Sequence, residues 1–236
     1  MSDWKPKRFW KVATATPCDG GFTVMLDARP VRTPAKAALT LPTLAMAEAV
    51  AAEWDAQDGL IDPRKMPVTR GANAAIDKVR TQRDEVVALL AEYGDSDLLC
   101  YRAAGPEELI ARQTQHWDPM LDWADAQLGV RLAVGVGVMH VTQSPQALAK
   151  LQQEVAAFDD FALAGVHDLI SLSGSLILAL AVTKKGLSAE DAWHLSRIDE
   201  HWQIEQWGDD EEAEATELIK RTAFLDAALF VMLSHG

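Results

Sequence analysis

The chain has 236 residues, 49% hydrophobic and 24% charged, and its 22 Lys and Arg against 35 Asp and Glu leave −13 at neutral pH. Such a surface repels phosphate backbones and anionic lipid, which excludes nucleic acid and membrane surfaces as partners. A chain of this length buries enough surface to fold without staples, and its two cysteines, Cys18 and Cys100, form no CxxC pair, which points to a reducing compartment.

No stretch reaches the roughly 18 apolar residues that a bilayer crossing needs. The longest candidate, Leu169 to Val182, is interrupted by Ser171, Ser173 and Ser175 and reads as a buried helix. The first residues, MSDWKPKRFWK, are basic but lack an apolar signal core and an Arg/Ser-rich transit segment. The expected location is therefore the bacterial cytoplasm, or the mitochondrial matrix if a leader has been removed.

Residues 1 to about 42 alternate with period two. Phe9 to Ala15 and Phe22 to Asp27 predict two strands joined by Asp19-Gly20-Gly21, where glycine supplies positive φ. Val31 to Thr33 and Leu39 to Leu41 add short strands, and Pro17, Pro30, Pro34 and Pro42 belong at strand ends or edges, where no ladder N–H is required. From Thr43, a capping residue, Leu44, Ala47, Val50, Ala51 and Trp54 recur at helical spacing to about Gln57. Ile61 to Val68, with Pro63 and Pro67, reads as a connector and the domain boundary.

Beyond it the spacing predicts helices throughout. Thr69 or Asn73 opens one to about Tyr93, and a second runs from Pro106 to Leu128, where Asp118-Pro119 either kinks it or starts a new one. Residues 95–102 are ambiguous, and 130–141 admits a buried strand or an extended loop. Further helices follow at Pro145 to Phe158, Phe161 to Thr183, Ser188 to Trp207 and Asp209 to Leu233. The expected class is α+β: a small N-terminal antiparallel β domain, residues 1–66 with one helix at about 43–57, followed by a larger all-α domain, 67–236.

There is no GxSxG, HExxH, GxxxxGK[ST] or GxGxxG, so no cofactor is expected. A helix advances about 100° per residue, so His194, Ile198, His201 and Glu205 share one face. A metal site there would need further ligands that nothing nominates. His201 and Glu205 as acid and base would need a pocket, and a solvated ion pair is the plain structural alternative. Leu195, Ile198 and Trp202 make an apolar stripe, while Trp193, Ile204 and Trp207 lie on a second side. A helix packed on one core needs one stripe, so this helix is either buried twice or meets another protein; the tryptophans alone favour burial. From Glu190 to Glu217 there are eleven acids against Arg197, a local −10. The macrodipole accounts for Asp209 to Glu212 at a helix start but not for Glu200 and Glu205, which await a cation that a partner could supply.

As a set, LDARPVRTP (26–34), EWD (53–55), MPVT (66–69), YGDSD (93–97), CYR (100–102), HWDP (116–119), LILALA (176–181) and QIEQWG (203–208) resemble the assembly-chaperone family for the catalytic head of F-type ATP synthase. The resemblance spans nearly the whole chain and implies a non-enzymatic protein with a small β-rich N-terminal domain and a helical C-terminal one. It implies as partner the alpha subunit of F-type ATP synthase, whose subunit interface is covered until the beta subunit arrives, by a chaperone expected to be a monomer. It puts the family's acidic position on Glu205, with Glu200 beside it. Together with the composition of this region, the expected partner-binding set is Glu205, Glu200, Trp207, Trp202, His201 and Asp209. Structural roles are expected for Trp54, which holds the first helix against its surroundings, and for Asp55, Asp27, Pro30, Trp117 and Asp118. The alternatives are an enzyme using His201 and Glu205, or a scaffold module without a client.

Overall fold

The structure is a computed structural model that describes residues 7–208 and 210–235. The chain divides into two compact units. One comprises the chain up to Arg83 together with Asp160–Gly165 and the segment from Leu229 onward; the other comprises Asp84–Asp159 and Val166–Ala228. Residues 67–83 thus belong with the β-rich part, beyond the expected 1–66. The α+β class holds: a three-stranded antiparallel sheet precedes a mostly helical remainder.

The sheet is built on a hairpin of β1 (Ala13–Cys18) and β2 (Gly21–Leu26), paired from Ala13 opposite Leu26 to Cys18 opposite Gly21. Gly21 is required for space as well as conformation, since a Cβ there would lie 2.3 Å from the Leu41 carbonyl oxygen. Asp27 turns the chain into the edge strand β3 (Arg29–Pro30) with φ 53°, and its carboxylate accepts the backbone N–H groups of Lys11 and Val12. Pro30 sits in this edge strand opposite Met25, where a missing donor is tolerated. The stretches at Val31–Thr33 and Leu39–Leu41 form only isolated bridges, Arg32 with Ala38 and Leu41 with Phe22.

Helix α1 (Leu44–Asp55) starts as its sequence indicates, with the Thr43 hydroxyl accepting the Met46 N–H at 3.1 Å. Its last turn carries the EWD motif, and each member has a distinct partner. The Glu53 carboxylate accepts the N–H groups of Val68 and Thr69 at 2.7 and 2.8 Å, an anion closing the start of α2 (Pro67–Asp77). Trp54 packs edge-on against Trp10 at 5.3 Å, at the margin of a core built from Trp10, Val24, Leu41, Met46 and Val50. Asp55 pairs with Arg8 at 2.9 Å. The MPVT segment is therefore a helix start rather than connector.

The single helix expected to about Tyr93 is broken into α2 and α3 (Arg83–Ala91), with a 3-10 turn at Val79–Thr81 between them. No Gly or Pro marks this break. The turn brings Arg80 and Arg83 to Asp160, at 3.0 and 3.2 Å, so tertiary ion pairs override a continuous helical period.

In the helical unit, α4 (Glu107–Leu128) runs unbroken through Asp118-Pro119 and ends at Gly129 in the left-handed region. Its HWDP motif is an anchoring point. Trp117 is buried and donates its indole N–H to the Leu195 carbonyl at 2.8 Å, and Asp118 meets Arg102 at 2.7 Å. The ambiguous stretches become β4 (Tyr101–Arg102) and β5 (Gly135–Val136), a short parallel pair within the otherwise helical unit. Helix α5 (Pro145–Ala156) follows as expected.

Two further helices expected to be single are each double. Phe161 to Thr183 becomes α6 (Asp160–Ser173) and α7 (Leu176–Thr183), separated by Gly174 at φ 73°. Ser188 to Trp207 becomes α8 (Ala189–Ser196) and α9 (Ile198–Trp207), where the Ser196 hydroxyl donates to the Trp193 carbonyl and competes with the helical ladder. The last helix, α10, spans Glu211–His235. No described helix is long and apolar enough to cross a membrane.

The break before α7 is held by Asp97, which is fully buried. Its carboxylate accepts the Ser175 hydroxyl at 2.8 Å and the backbone N–H groups of Leu99 and Ile177, each at 3.0 Å. Burial pushes its pKa from 3.8 up to about 6, against the opposing pull of these donors. Because the folded value is the higher one, the contribution of Asp97 to stability is greatest below pH 3.8 and declines as the pH rises through about 6. Asp97→Asn removes one acceptor and leaves the Ile177 N–H facing an amide donor, which costs about 1–3 kcal/mol. Urea unfolding should show that deficit larger at pH 4.5 than at pH 7.5; a deficit independent of pH would contradict the assignment. Separately, Trp54→Arg forces a cation against the Trp10 ring and should lower stability by about 2 kcal/mol or more, measured by thermal melting.

Candidate functional site

The region singled out by tryptophans and acids is formed by α8, α9 and the first half of α10, and α9 indeed presents two different sides. One side meets α4. Arg112 donates both ends of its guanidinium to Glu205, at 2.7 and 2.8 Å, and lies over the Trp202 ring at 5.0 Å. Gln113 donates to Asp199 at 2.6 Å. The cation awaited by Glu205 therefore comes from the same chain, 93 residues away in sequence, and not from a partner. The Arg112 guanidinium holds the Glu205 carboxyl below its ordinary 4.5.

His194 and His201 remain neighbours across the break between α8 and α9, with ring centroids 6.1 Å apart. With Arg112, His116 and Ile198 they border a small open hollow of about 260 Å³. The two groups of the supposed acid–base pair are engaged apart from each other: Glu205 is clamped by Arg112, whereas His201 Nε2 meets Glu217 of α10 at 3.2 Å. Among the described residues no group of three His, Cys, Asp or Glu side chains could hold a metal ion.

The other side of α9 opens into a groove of about 560 Å³ toward α10. Ile204 and Trp207 form its apolar wall, Trp193 its inner end, and Asp210, Glu212 and Thr216 the opposite lip. The three residues of the second stripe fare differently. Trp193 is completely buried, stacked under Arg197 at 4.8 Å and beside Phe224 at 5.6 Å; Ile204 is half-buried; Trp207 is 79% exposed. Burial on both sides thus holds for the α8 end of the stripe and fails at the end of α9. Leu218 and Ile219 on α10 are also exposed, a feature that the acidic run around them obscures in the sequence.

Much of the local acid excess is spent within the chain. Glu190 pairs with Arg221 at 2.6 Å and Glu200 with Arg197 at 2.8 Å, alongside the Glu205 and Glu217 contacts above. Asp210 accepts the Glu212 N–H at the start of α10. Of the expected partner-binding residues, Glu200 and Trp207 border the groove, Glu205, His201 and Trp202 lie on the α4 side, and Asp209 lies outside the described residues. Arg112 was not foreseen, because nothing local in a sequence pairs residues so far apart.

The comparisons agree with this architecture. A model of the ATP12 chaperone protein family matches residues 7–125. The chain belongs to the ATP12 chaperone family. A crystal structure of Atp12 from Paracoccus denitrificans is 49% identical with a TM-score of 0.95, covering 98% of this chain and all of that one. A point mutant of the same Paracoccus protein gives 48% identity and the same TM-score, over 99% of this chain and all of that one. Protein atp12, mitochondrial, of Schizosaccharomyces pombe is 23% identical over 219 residues, 88% of this chain and 75% of the relative. ATP12 proteins are ATP synthase assembly chaperones and not enzymes, which sets aside the reading of His201 and Glu205 as catalytic groups.

The Arg112–Glu205 clamp has a testable pH signature. Since the folded carboxyl titrates below its ordinary value, the pair contributes above pH 4.5 and its contribution disappears as pH falls through the lower folded value. Glu205→Gln should melt slightly below the parent at pH 7, with the gap narrowing as the pH falls below 4.5 and shrinking in high salt, as expected of a half-exposed pair. Equal melting temperatures at pH 7 and low salt would show that the clamp does not matter to the fold.

Proposed function

We propose that this ATP12-family chain binds the free alpha subunit of the F-type ATP synthase head and covers its subunit interface until the beta subunit takes the chaperone's place. The exposed Trp207 beside the acid-lipped groove supports this most directly. An indole removes a large apolar area from water on binding while keeping a polar edge, and tryptophan is enriched where binding energy concentrates. An unassembled subunit interface is itself largely apolar and prone to association while wet. Carboxylates around the contact add orientation and a faster encounter without a large buried area, which keeps release possible. The chaperone works as a monomer, in the bacterial cytoplasm or, for a form whose leader has been removed, in the mitochondrial matrix. A scaffold without a client gives no reason for the exposed indole.

The test is to mix purified chain with freshly diluted alpha subunit in the absence of ATP. Equimolar chaperone should suppress light scattering and co-elute with the alpha subunit at low salt, and added beta subunit should displace it. Unchanged scattering, with no co-elution at low or moderate salt, would remove the alpha subunit as client.

A further inference from the structure

We propose that the groove between α9 and α10 receives a basic amphipathic helix, an apolar side chain lying against Ile204 and Trp207 while flanking Lys or Arg side chains meet Asp210 and Glu212. The source of that helix rests on the client reading above; its chemistry rests on the groove. An apolar channel between two helices is the shape into which a third helix packs, with anchors at every third or fourth residue. At about 560 Å³ it has room for several side chains.

Charge selects the occupant. The groove is lined by Glu200, Asp210, Glu212 and Glu217 against Arg197 and Lys220. Arg197 is taken by Glu200, and Glu217 is engaged with His201. Of the lining charges this leaves Asp210 and Glu212 against Lys220 of α10, with the exposed Glu211 and Glu214 alongside. An acidic helix laid there would be repelled, and a purely apolar one would leave carboxylates poorly hydrated, whereas lysines or arginines on its rim meet them.

The test uses the full chain and designed probes. A fluorescently labelled 16-residue helix with leucines at helical spacing and lysines on its rim is compared, by anisotropy, with the same helix carrying glutamates for lysines and with a scrambled basic peptide. The basic amphipathic probe should bind at least tenfold more tightly than either. Trp207→Ala, and separately the pair Asp210→Lys with Glu212→Lys, should each weaken it tenfold or more. The remote pair Glu107→Lys with Glu108→Lys, an equal change of net charge at the start of α4, should leave it within twofold. Equal weakening by the remote pair, or equal binding of the scrambled peptide, would reduce the effect to overall charge and overturn the proposal. Loss of a dimer on Trp207→Ala in sedimentation would also overturn it, by making the occupant a second copy. Suppression of alpha-subunit aggregation is measured on the same variants. Suppression that survives the groove variants would reject the groove and keep the client, while probe binding without alpha-subunit binding would reject the client and keep the groove.

Discussion

The hydrogen bond from the buried Trp117 indole to the Leu195 carbonyl ties α4 to α8 directly before α9 begins. It fixes the end of α8 against the middle of α4, and a buried donor of this kind is costly to leave unmet. Once α8 ends there, α9 starts beside α4, within reach of Arg112 and Gln113. Those residues then take Glu205 and Asp199, so that one side of α9 is tied to α4 by the chain's own cations and amides. Arg102 ties α4 to β4 by donating to the Gln113 carbonyl and to Asp118. The opposite side of α9 is left to face α10.

These pairings change the meaning of the acidic composition. Read along the sequence, eleven acids against one arginine look like an uncompensated field. In three dimensions Arg112 and Arg221 enter from outside the segment and Arg197 turns back on Glu200. The remaining negative charge concentrates near the start of α10, where the helix dipole already favours anions. Carboxylates held there for structural reasons also line the lip of the groove, so in the proposed complex one set of charges serves helix stability and partner choice. Ion pairs at the surface contribute little to folding. Their more important effect is geometric: they tie the α4 side of α9 to α4 and leave Ile204 and Trp207 on the other side facing the groove.

The features legible in the sequence were those encoded locally. The Asp19-Gly20-Gly21 turn, the Thr43 cap, the end of α4 at Gly129 and the start of α8 at Ser188 all depend on residues close in sequence to the backbone they serve. The breaks at 78–82 and at Arg197 were missed because tertiary partners, Asp160 for the first and the packing of Trp193 and Ile198 about the second, decide them against an uninterrupted apolar period. Gly174 between two serines was a readable signal, overridden by the apolar run that follows it. Asp97 lay in a quoted motif, yet burial and bonding to Ser175 and Ile177 connect residues about 80 positions apart. For the candidate site, the two-sided character of α9 and the face that carries Glu205 were legible in the sequence. The source of the Glu205 cation was not, since neither period nor composition tells whether a carboxylate's cation lies in the same chain.

A temporary cover must bind well enough to exclude water and weakly enough to leave. A groove with one large exposed indole, a half-buried isoleucine and a charged lip meets both demands because its contributions differ in kind. Apolar burial scales with the area removed from water, whereas the carboxylate contacts act over roughly a Debye length and fall with ionic strength. A competing subunit with a larger apolar interface gains more from the first contribution and has no need of the second. In the exchange proposed above, displacement requires no nucleotide hydrolysis by the chaperone: the incoming interface takes the shared apolar surface, and the charged contacts left behind are weakened by salt.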